Sequence, residues 1–109
     1  MSLIVYNKEY FLTKELTFTK HISKAALVNI EYVTQKKYTD VYNIRIKIDN
    51  AYICINNKNI SLTEEKNDNT IIIKMKKKLL CNFGYLVCNS AYKLDLESQG
   101  EEMYDFNRI

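Results

Sequence analysis

The strict alternation over residues 41–56 constrains this chain most. Tyr42, Ile44, Ile46 and Ile48 alternate with Asn43, Arg45 and Lys47. A period of two places the apolar side chains on one face of an extended strand, and no helical phase reproduces it. Asp49-Asn50 follows, and both residues tolerate the positive φ that a two-residue primed turn requires. Residues 51–55 (Ala-Tyr-Ile-Cys-Ile) then alternate again. The pattern predicts a β-hairpin. Asn56-Asn57-Lys58-Asn59 is the next turn, and residues 60–62 form a short third strand of the same meander.

The rest of the chain extends this theme. Residues 63–69 are polar and turn-forming, a solvated loop. Residues 70–76 read as a strand, with Ile71, Ile73 and Met75 on one face and Ile72, Lys74 and Lys76 on the other. Residues 91–97 also alternate, with Tyr92, Leu94 and Leu96 against Lys93, Asp95 and Glu97. Residues 3–6 and 10–19 are rich in aromatic and β-branched types and read as extended. Two segments fit either state. In 23–36, Ser23 suits a helix cap and Ala26, Ile30 and Val33 share a helical face, while Val28, Ile30 and Tyr32 suit a strand. In 79–90, Leu80, Phe83 and Val87 have helical spacing, while Gly84 and the run to Cys88 suit a bent strand. The expected fold is mostly β (all-β or α+β). It is a single small domain on an antiparallel β meander, with six to eight strands and at most one or two short helices. The domain spans 1–97; residues 98–109 form an acidic-aromatic C-terminal tail set off by Gly100.

Bulk numbers narrow the class. With 109 residues there is room for one core, and 47% hydrophobic content with a net charge of +3 argues against global disorder. Thirteen Ile, twelve Asn, nine Tyr and fourteen Lys against two Arg are the usage of an AT-rich coding sequence. That points to a genome type, that of many phages, viruses, plasmids and some bacteria, and not to a function. Three cysteines, an odd number, argue against a disulfide framework and for a reducing compartment. The apolar run at the N-terminus is too short for a signal peptide, and no stretch is long enough to span a bilayer. The expected location is the cytoplasm, a host's cytoplasm for a viral protein, with no membrane partner.

The reactive residues do not assemble into a catalytic pattern. His21 is the one histidine, and Cys54, Cys81 and Cys88 all sit in apolar surroundings, where cysteine behaves as a small hydrophobe. The seven-residue step from Cys81 to Cys88 is not the tight pair of a zinc ribbon. Glu64, Glu65, Glu101 and Glu102 fall in loop or tail, where carboxylates are solvated. Two glycines cannot build a phosphate loop. No enzyme activity, metal or cofactor is expected.

Two segments suggest binding. The tail residues Glu101, Glu102, Met103, Tyr104, Asp105 and Phe106 mix acid with interface-prone aromatics, and the acids suit a basic partner or mimic phosphates. The plainer reading is a frayed terminus. Lys74, Lys76, Lys77 and Lys78 form a basic run able to neutralise phosphates, with Tyr10, Phe11, Tyr38, Tyr42 and Tyr85 available to stack on bases. The plainer reading there is a solvated strand end, and the scarcity of Arg counts against base-edge recognition. The expectation is a small protein-binding module, including an inhibitor of a host enzyme or defence nuclease. A β-sheet nucleic-acid binder is the alternative, and a homo-oligomer formed through an exposed strand edge is open.

Overall fold

The computed structural model describes residues 2–35, 41–99 and 107–108. They form a small antiparallel β domain, 58% strand, curled into a half-barrel. Among the described residues thirteen strands run in chain order: β1 (Ser2–Leu3), β2 (Val5–Tyr6), β3 (Tyr10–Leu12), β4 (Phe18–Thr19), β5 (Val28–Gln35), β6 (Val41–Ile48), β7 (Ala51–Asn56), β8 (Asn59–Thr63), β9 (Ile72–Met75), β10 (Lys78–Cys81), β11 (Gly84–Cys88), β12 (Leu94–Glu97) and β13 (Asn107–Arg108). Helical structure among the described residues is limited to 3-10 turns at Ile22–Lys24 and Asp68–Thr70. No helix there is long and apolar enough to cross a membrane.

The alternating segment folds as its period dictates. β6 and β7 form a hairpin around Asp49, which sits at φ 53, and Ile48 pairs with Ala51. Ile44, Ile46 and Ile48 are buried, while Asn43, Arg45 and Lys47 on the other face are half-buried. The Asn57–Lys58 turn, with Asn57 at φ 56, leads into β8.

The large sheet runs β12-β11-β10-β9-β6-β5-β1-β13. β6 is its branch point. One edge pairs with β5 along its length. The other edge is shared: Val41–Ile44 pair with β9, and Lys47–Ile48 pair with β7. The β7–β8 hairpin therefore leaves the sheet at a fork. The 3-10 turn at 68–70 packs against β7, and the Arg45 Nε donates to the hydroxyl of the fully buried Thr70 at 2.9 Å. A small sheet, β2-β3-β4, joins the large one through backbone bonds from Leu12 to Ile4, from Phe18 to Tyr92 and from Leu94 to Leu16. The core between them holds Ile4, Leu12, Val28, Ile44, Ile46, Ile53, Ile72, Leu79 and Leu86.

Several expectations need correcting. The strand count is higher than six to eight among the described residues, because the longer segments break. Residues 3–6 split at Ile4, and 10–19 turn between β3 and β4 with Leu16 at φ 61. Residues 23–36 supply a strand from Val28, preceded by the Ile22–Lys24 turn, and not a helix. Residues 79–90 belong to β10 and β11, hinged just before Gly84 at φ +135, where a Cβ would lie 2.7 Å from the Glu97 carbonyl oxygen. Thr70 closes a 3-10 turn, so β9 begins at Ile72. The deeply buried face of β9 is that of Ile72, because Ile72 pairs with Ile44; Ile73 is half-buried and Met75 is exposed. Residues 90–92 turn, with Tyr92 at φ 57, Lys93 makes a single antiparallel bridge to Thr17, and β12 starts at Leu94.

Candidate functional site

Where the small sheet meets the large one, three tyrosines gather. Asn7 and Lys8 both take positive φ (52 and 60), and this tight turn sets Tyr6 directly across from Tyr10. Their ring centroids are 6.1 Å apart. Tyr92 comes from the turn before β12 and stacks on Tyr10 at 4.9 Å with a 21° interplanar angle. The Tyr10 hydroxyl donates to that of Tyr92 at 3.4 Å. Buried Phe18 supports the group from β4, edge-on to Tyr6 at 6.2 Å. The Lys20 ammonium lies 5.4 Å from the Tyr10 ring centre and 3.9 Å from Glu9 Oε2. The surface is therefore aromatic, with a cation at its rim.

The backbone at Tyr92 is held deliberately. A tyrosine at φ 57 stores about 1–3 kcal/mol of strain, which persists only where the surroundings fix it. Here Asn89 Oδ1 accepts from the backbone of Ala91 and of Lys93 at 2.9 and 3.0 Å. The Tyr92 carbonyl accepts from Phe18 at 2.8 Å. Tyr92 remains 47% exposed, so it is a constrained ring facing solvent.

The lysine run lies on the β9–β10 hairpin, but its members diverge. Lys74 pairs across from Tyr42 and Leu79, and Lys78 pairs across from Met75. Successive strand residues face opposite ways, so Lys74 and Lys78 lie on opposite faces. Lys76 and Lys77 are exposed at the tip, with Lys76 at φ 55. Lys74 sits over the Tyr42 ring at 5.5 Å and Lys78 over the Tyr85 ring at 6.0 Å, so each lysine shares the ring that a base would need. Tyr32 meets Tyr42 edge-on at 5.4 Å and is exposed. Tyr38 and the tail residues Glu101, Glu102, Met103, Tyr104, Asp105 and Phe106 lie outside the described residues.

On the polar face of β5–β7 a third cluster forms. The Tyr52 hydroxyl donates to Glu31 Oε2 at 2.8 Å, and Lys66 Nζ lies 3.2 Å from Glu31 Oε1. The Tyr52 bond, aided by Lys66, holds the Glu31 carboxyl below its ordinary pKa. Tyr52 is buried, and the ammonium groups of Lys47 and Lys66 lie 5.6 and 5.7 Å from its ring centre. With every partner satisfied, this cluster is structural.

His21 is exposed beside the Ile22–Lys24 turn; Cys54 is buried, and Cys81 and Cys88 are half-buried free thiols. Among the described residues no three His, Cys, Asp or Glu side chains gather in a way that would hold a metal. An open cleft of about 620 Å³ lies against Val87, Asn89, Asp95 and Glu97. A smaller one of about 270 Å³ has Ile55, Ile73 and Phe83 in its wall and Asn43, Asp68 and Asn82 at its rim.

The sequence reading passed over Tyr6, Lys20 and Tyr92 as site residues. Asn7-Lys8 between Tyr6 and Tyr10 was a usable hairpin signal. Nothing local announces Tyr92, 82 residues from the ring it stacks on. Compared with known proteins, this chain matches no family profile, no curated protein and no solved structure.

Proposed function

We propose that this chain is a small, non-enzymatic protein-binding module whose contact surface is the Tyr6–Tyr10–Tyr92 cluster. One observation carries the reading: Tyr92 is held at a strained φ 57 with its ring stacked on Tyr10 and still open to solvent. Rings ordered in advance give large contact area at little entropic cost, as in protein-recognition surfaces. Lys20 at the rim suits a partner that presents carboxylate or carbonyl oxygens there. The AT-rich residue usage favours a phage, virus or other mobile element as the source. In that setting the target is a host enzyme or defence nuclease, and Glu101, Glu102 and Asp105 of the tail add acidic contacts.

The test is a pull-down from host lysate, with and without nuclease treatment, comparing the native chain with Tyr10→Ala and Tyr92→Ala. The expected result is one stoichiometric protein that survives nuclease and binds at least about tenfold more weakly to each variant, as for interface anchor residues. Capture that ignores both substitutions overturns the reading.

A nucleic-acid reading has its own observation, the exposed Lys76–Lys77 tip flanked by Lys74 and Lys78. It requires binding that falls steeply with salt. The divergence of the lysines over two faces favours the protein-binding reading.

A further inference from the structure

Among the described residues β8 pairs with β7 alone, and Asn59, Ser61 and Leu62 along it are exposed. Its hairpin decides which backbone groups point away. Asn57–Lys58 is a two-residue turn, so Asn56 and Asn59 form the closing, hydrogen-bonded pair. Bonding alternates along an antiparallel ladder. Asn59, Ser61 and Thr63 thus direct their peptide groups to β7, and Ile60 and Leu62 direct theirs outward. β8 itself reads Asn-Ile-Ser-Leu-Thr, with no charge and no proline to guard that edge.

We propose that β8 pairs antiparallel with β8 of a second copy of this chain, about a two-fold axis through Ser61. That register sets Ile60 opposite Leu62 and Asn59 opposite Thr63, and it brings Lys58 of the turn and Glu64 just past β8 to the same end of the seam, each occurring twice. The outward peptide groups of Ile60 and Leu62 meet their counterparts as hydrogen-bonded pairs. Ile60 and Leu62 lie across from Ile55 and Ile53 of β7, on the core-facing side, and Leu62 is 37% exposed. The second copy carries that apolar face onward. The flanking charges select the register. Centring the axis on Leu62 or on Ile60 moves Lys58 and Glu64 of the two copies apart and sets one of them beside an apolar residue instead. Only the Ser61 axis matches cation with anion on both sides, and it does so with this chain's own sequence.

A seam of five residues per copy is smaller than the ~1,200 Å² that stable interfaces bury, so the dimer is weak and concentration-dependent. Sedimentation equilibrium from low micromolar to about 1 mM tests it. The native chain is expected to shift from one copy toward two. Lys58→Glu brings like charges to the same end of the seam twice and is expected to raise the dissociation constant about tenfold or more. Lys58→Glu with Glu64→Lys restores the pairing. Both positions are exposed, and circular dichroism confirms that each variant is folded. A native chain that stays single at the highest concentration overturns the proposal. So does association that all three forms show equally, or growth beyond two copies.

Discussion

Single side chains hold the places where this sheet departs from regularity. Thr70 is fully buried, and its hydroxyl accepts from Arg45 Nε and from the Asn67 backbone while donating to the Asn67 carbonyl at 2.7 Å. Thr70→Val keeps the shape and removes all three bonds. It is expected to cost about 1–3 kcal/mol in a urea titration, because three hydrogen bonds made by a fully buried hydroxyl are lost together. Glu31 makes a pH-dependent contribution. Its folded pKa lies below the ordinary 4.5, chiefly through the Tyr52 hydroxyl. The unfolded chain therefore takes up that proton first as pH falls. The stabilisation is complete above the unfolded value and is lost as pH drops through the folded one. Thermal melts between about pH 6 and pH 3 are expected to show a shallower acid limb for Glu31→Gln than for the native chain. At this scale the sequence was partly legible. The burial of Ile44, Ile46 and Ile48 follows from their period. Thr70 and Tyr92 do not stand out, because each acts through a partner distant in sequence, Arg45 in one case and Tyr10 in the other.

Among the elements, hairpins announced by a turn dipeptide were the most readable. Asp49-Asn50 and Asn57-Lys58 each open on a residue that tolerates positive φ, Asp49 and Asn57, with alternation on both sides, so β6, β7 and β8 emerge almost as read. Three consecutive isoleucines, Ile71–Ile73, leave the phase of β9 open to a sequence reading. Pairing of Ile72 with Ile44 decides it. The segment 79–90 was equally open, since Leu80, Phe83 and Val87 satisfy a helical spacing as well as a strand. The deciding element is Gly84, whose φ of +135 lets β11 run close beneath the Glu97 carbonyl. A methyl group at that position meets backbone and not a flexible side chain. Gly84→Ala is expected to destabilise by about 1–3 kcal/mol, through strain at positive φ and the clash with β12. Hydrogen exchange is expected to quicken first at Val87 and Asp95, which pair across β11 and β12, and less at β6. Uniform quickening across the sheet would deny β12 this separate status.

For the whole molecule, the mostly β class and the single small domain were legible, while the arrangement of strands was not. Alternation says that a strand has two faces, but it does not say which neighbour it takes. That choice belongs to contacts such as Ser2 with Arg108, which join the two ends of the chain. The three free thiols imply that excess reductant leaves the unfolding midpoint unchanged; a drop under reductant would reveal a disulfide. The proposed contact surface was the least legible part, because its three rings come from the hairpin of the small sheet and from a distant turn that only the folded chain brings together.

The branch at β6 has a consequence for fidelity. A strand that slips by one residue turns its whole apolar set to the wrong side. Along one edge β6 holds β9 through Val41–Ile44 and β7 through Lys47–Ile48. Any slip of β6 must violate both pairings at once. The branch works as a lock that needs two keys: a register of β6 that suits one arm must also suit the other.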